Sequence, residues 1–130
     1  MELGSAVAVL EVLANSEDMI RRQLAGEPEV EAEVRMTLGI VYRQLGNLRH
    51  AEPHLRNAVE LFRQTAGERD PKTKQAKVEL ANLLLLYSGS DDEAELLVRD
   101  LLESAAGESA QDHPIHIRTL YLSASIRRKR

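Results

Sequence analysis

The chain repeats itself at a fixed interval, and few architectures allow that. Pro71 and Pro114 stand 43 residues apart, as do Gly46 and Gly89 and the pairs Ala51-Glu52 and Ala94-Glu95. Leu38-Gly39 and Leu80-Ala81 are 42 apart, which places one added residue in the second turn. Landmarks recurring with a period of roughly 40 residues mark stacked units, each burying its apolar face on the next. A single unit of that kind cannot stand alone.

The unit is clearest from Leu38 to Leu61, LGIVYRQLGNLRHAEPHLRNAVEL. Leu38, Gly39 and Tyr42 fall on one helical face, and Leu48, Ala51, Leu55 and Ala58 fall on another after the break at Gly46-Asn47. Small residues at Gly39, Ala51 and Ala58 allow two backbones to cross closely, and Tyr42 and Leu55 fill the remaining space. This small-large alternation of a helix hairpin resembles the tetratricopeptide repeat. The early aromatic residue that the pattern often carries is replaced by Arg35. The long period is similar to the variant in kinesin light chains and in many bacterial regulatory proteins, where an Ala-Glu pair also lies in the second helix. Pro28 to Arg35, running into Leu38-Gly39 and Ala51-Glu52-Pro53-His54-Leu55, resembles the repeat region behind the kinase domain of some bacterial serine/threonine protein kinases. No glycine-rich loop, His-Arg-Asp or Asp-Phe-Gly is present. The resemblance therefore implies a regulatory or docking portion and no catalyst.

In chain order, Val9, Leu10, Leu13, Ile20 and Leu24 form a stripe that predicts a leading helix over 6–26, ended at Gly26. Repeat 1 is expected over 29–67, with four acids (Glu27, Glu29, Glu31, Glu33) about its opening turns, where they suit the helix dipole. Asp70-Pro71 reads as a cap and first helical residue, and repeat 2 follows over 71–107. A closing helix covers 114–130. The fold class is all-α, a right-handed superhelical stack of antiparallel helix hairpins over 1–130.

Composition narrows the function. Aromatics are 3% with no Trp, so base stacking and aromatic membrane docking are not expected. The net charge of −4 disfavours phosphate backbones, and the basic end Arg127-Arg128-Lys129-Arg130 suits a helix C-terminus. Neither nucleic acid nor a membrane is expected as partner. With no cysteine there is neither a disulfide nor a thiolate metal site, and a reducing cytoplasm is the expected compartment. His50 and His54 are four apart on one helix, and His113 and His116 form a second pair, but no third ligand is spaced to complete either site. No metal, cofactor or catalytic residue is expected.

Binding is what stacked hairpins imply. By the family's geometry the first helix of each unit lines the inner wall, which would place Glu33, Met36, Ile40, Arg43 and Gln44 there. Gln75, Val78, Asn82 and Leu85 would come from the next unit, and Arg118, Tyr121 and Ser125 from the closing helix. Ile40, Val78 and Leu85 serve equally as core in this scheme. The wall mixes apolar and basic character, suited to a peptide with hydrophobic anchors and some acid, with Arg43 and Arg118 selecting the acid. Met36 and Ile40 occupy the places where a carboxylate clamp needs Lys and Asn. The alternative is self-assembly through terminal faces, Val9, Leu13 and Ile20 at one end and Leu120 and Leu122 at the other.

Overall fold

A computed structural model describes residues 15–86, 91–103 and 113–129. Among the described residues there are six helices and no strand. Helix α1 covers 15–23, and α2 runs Pro28–Gln44, α3 Leu48–Thr65, α4 Pro71–Leu84, α5 Asp91–Glu103 and α6 His113–Lys129. Helices α2, α4 and α6 open at Pro28, Pro71 and His113, at intervals of 43 and 42 residues. From α2 onward each helix packs on the next, and α4 also touches α2 and α6. The result is an all-α solenoid of two layers, α2/α4/α6 and α3/α5. The turn at Gly89-Ser90, the stop at Gly107, Tyr87 and residues 6–14 of the leading helix lie outside the described residues.

Helix ends follow from local chemistry. Pro28 and Pro71 sit in the first turns of α2 and α4, where the missing N–H has no acceptor to lose. Asp70 stands extended (φ −65°, ψ 141°) and accepts from the Lys72 N–H at 2.9 Å. At the α2–α3 turn Gly46 takes φ 79°, a left-handed conformation that favours glycine. There the Gly46 N–H donates to Arg43 O and the Asn47 N–H to Tyr42 O, the crossed pair of a Schellman turn. Asn47 then caps α3 by accepting from the His50 N–H. Helix α1 ends three residues earlier than the sequence predicts, in a turn where Glu27 N–H donates to Leu24 O. Asn15 to Asp18 are helical.

The small positions of the hairpin act as the sequence requires. A Cβ added to Gly39 would lie 2.5 Å from Leu55 Cγ and 2.6 Å from Cδ2, so nothing larger than glycine fits without displacing Leu55. Ala51, Leu55 and Ala58 are fully buried. They belong to a core cluster with Tyr42, Phe62, Leu80, Leu83 and Leu84 that spans α2 to α5. A second cluster, Val78, Ala81, Val98, Leu101, Leu122 and Ile126, joins α4, α5 and α6. Leu85 and Leu97 pack against both. Ten of the fourteen residues of α4 are buried, because it is covered from both sides.

Where the repeat usually places an aromatic ring, Arg35 is buried and needs counter-charge. Its Nε donates to Glu31 at 2.7 Å, and Nη1 and Nη2 reach Glu17 of α1 at 3.4 and 3.3 Å. Burial works against the guanidinium charge, but Glu31 and Glu17 outweigh it and hold its pKa above the ordinary value. His54 is buried beside it, not exposed as a bare helix-face histidine would be, and stacks on Tyr42 at 5.6 Å.

Candidate functional site

The α2/α4/α6 layer carries the residues expected to bind. Its most constrained member is one the sequence reading passed over. Glu79 lies on α4, its side chain only 5% exposed, and accepts from Arg43 Nη1 of α2 and from Arg118 Nη2 of α6, both at 2.6 Å. A buried carboxylate is costly alone, so two guanidinium partners are what let it sit within the stack. A second link, from Lys72 of α4 to Glu33 of α2 at 2.7 Å, crosses the exposed rim of the layer. Glu33 holds the Lys72 ammonium above its usual pKa.

Between α4 and α6 lies an open cavity of about 290 Å³, lined by Val78, Asn82, Ile117, Arg118, Tyr121 and Leu122. Ile117 and Tyr121 are exposed, Tyr121 at 69%, whereas Leu122 is buried and forms the floor with Val78. Arg118 is 42% exposed on its side chain even while bound to Glu79. Apolar walls with an amide and a guanidinium at the edge can hold an apolar group and orient a polar one beside it.

The structure gathers Val78, Asn82, Arg118 and Tyr121 at this cavity and distributes the rest. Val78 is 1% exposed and belongs to the core, and Leu85 packs against both clusters. Met36 is partly buried against the first cluster, and Ile40 and Gln75 are half-buried. Arg43 and Glu33 are tied in ion pairs, and Gln44 is exposed. Ser125 Oγ donates back to the Tyr121 carbonyl at 3.1 Å. Arg43 and Arg118 were expected to be available to an acidic partner. Glu79 engages both, so their charge is partly answered within the fold. The sequence carried one signal for this: a lone acid in the apolar run Val78-Glu79-Leu80-Ala81, 39 residues from Arg118, the same interval as Glu33 to Lys72.

The α3/α5 layer is joined likewise. Arg56 of α3 donates to Glu93 of α5 through Nη2 at 2.8 Å, which holds the Glu93 carboxyl below its ordinary pKa. Lys77, buried on α4, reaches Asp100 of α5 at 2.7 Å and also Glu68. Among the described residues no group of three or more His, Asp or Glu is placed to hold a metal ion, and no helix is long and apolar enough to cross a membrane.

The tetratricopeptide repeat family model matches residues 30–107. No curated protein and no solved structure matches the chain. The matched span takes in α2 through α5 with the Gly39–Leu55 crossing and the Gly46 turn, and repeats of this kind mediate protein–protein interaction without catalysis. The chain belongs to the tetratricopeptide repeat family.

Proposed function

We propose that this chain is a non-catalytic scaffold module that binds a protein or peptide through its α2/α4/α6 layer. The observation that carries the reading is the α4–α6 cavity, which has an apolar floor and Asn82, Arg118 and Tyr121 around its mouth. An aliphatic or aromatic anchor enters the cavity, Asn82 bonds the ligand backbone, and Arg118 faces an acid beside the anchor. Arg43, Glu33, Met36, Ile40, Gln44, Gln75, Leu85 and Ser125 then shape or support that wall. Acid selection falls to Arg118, the more exposed of the two arginines on Glu79.

The period of 42 to 43 residues supports the long, kinesin-light-chain-like type. With the Pro28–Leu55 resemblance it supports a regulatory or docking part of a larger bacterial signalling protein in the cytoplasm. The chain divides in this reading into a leading helix, repeats at 29–67 and 71–107, and a closing helix. Quantitative affinity capture with the wild-type chain and an Asn82→Ala/Tyr121→Ala variant tests the binding site. Partners retained by the first and lost by the second are expected; identical sets would reject the assignment.

Self-association is a second reading, and a specific observation favours it. Ile117, Leu120 and Tyr121 are all about half exposed or more on α6, a concentration of apolar surface on one helix. Two members of the expected terminal faces do not contribute, since Ile20 and Leu122 are buried. Val9 and Leu13 lie outside the described residues. Light scattering across a concentration series separates the readings, with a constant monomer mass expected of a pure binding module.

A further inference from the structure

We propose that a second cavity, between α1, α2 and α3, binds a small organic carboxylate, seated where the Glu17 side chain now lies against Arg35. This cavity shares no lining residue with the α4–α6 one and has a volume of about 450 Å³, within the usual span of small-molecule sites. Arg35, at a position where the repeat often has an aromatic residue, brings a forked donor to its lining. Glu31 holds one edge of that fork at 2.7 Å, whereas Glu17 sits at 3.3 and 3.4 Å, beyond good charge-assisted distances. The Glu17 carboxylate is a loosely held model of the ligand.

Two donors of the lining lack an acceptor among the described residues, the His54 Nε2–H and the Tyr42 hydroxyl. Arg35 Nη1 can only donate, so the His54 Nδ1 at 3.3 Å accepts from it and the His54 proton sits on Nε2. That Nε2–H has Glu17 Oε2 at 3.9 Å, too far for a hydrogen bond. Tyr42 is 3% exposed and lines the cavity, and its hydroxyl has no hydrogen-bond partner among the described residues. A buried hydroxyl left unpaired is unfavourable and points to a missing acceptor. Arg49 adds a second guanidinium, and among the described residues Glu17 is the one acid on the lining. The rest of the lining offers planar rings, with Tyr42 stacked on His50 at 5.3 Å and on His54 at 5.6 Å. An anion with a planar apolar body satisfies both parts.

Titration of the 130-residue chain with benzoate, followed by 15N–1H spectra at fixed ionic strength, tests this. Saturable shifts at the His54 and Asn57 amides are expected. Glu17→Gln should bind benzoate more tightly, because the internal competitor is gone. Tyr42→Phe, which keeps the ring, should weaken binding about fivefold for one lost hydrogen bond, and Arg49→Gln should weaken it at least as much. Arg118→Ala should change nothing. Absence of saturable shifts in Glu17→Gln overturns the proposal, and so does an equal response to chloride. Shifts with inorganic phosphate but none with benzoate reject the carboxylate assignment.

Discussion

At Gly39 one hydrogen atom decides how closely two helices approach. A methyl there meets Leu55 at 2.5 Å, so Gly39→Ala is expected to lower stability by about 2 kcal/mol in urea unfolding, despite alanine's better helix propensity. His54 sets a pH dependence. Burial, the largest effect, depresses its pKa below 6.5; Glu17 opposes this, while Arg35 and His50 reinforce it. The unfolded chain therefore takes up the proton first. Stability should fall as pH drops from about 6.5 toward the depressed folded value, and His54→Gln should flatten that slope. Glu68 and Glu93, both held below 4.5, act in a lower window: their stabilisation is present above 4.5 and is lost as pH falls through their folded values. The small-large positions were legible in the sequence because spacing alone places them on one face. Arg35, Lys77 and Glu79 were not, since each of these buried charges is answered in part by a partner 18 to 39 residues away.

Helices in this chain begin and end where residues dictate, and this is the best-encoded level. Asp70-Pro71 opens α4 and Gly46 closes α2 by mechanisms that need no tertiary contact. Asp70→Ala should accordingly remove about 1 kcal/mol, read as a lowered urea midpoint with an unchanged slope. Pro28, 43 residues before Pro71, likewise stands in the first turn of α2, there without a capping side chain before it. Which face of a helix turns outward is less well encoded. The α6 residues Ile117, Leu120 and Leu122 are all apolar, and only packing on α4 and α5 decided that Leu122 goes in while the others stay out.

For the molecule as a whole, Glu79 connects three consecutive first helices through one carboxylate. Glu79→Gln leaves two guanidiniums facing each other across a neutral amide. It should destabilise by about 2 kcal/mol, discounted for the partial exposure of Arg118, and the loss should shrink in the Arg43→Met background. Helix α4 turns one side to each apolar cluster, with Leu85 and Leu97 bridging them. A chain built this way has a seam. Pulled from its two ends in an optical trap, it should yield in two rips, the α5–α6 side detaching before the α2–α3 crossing gives way, so that extension rather than heat would reveal how separately its rungs are held.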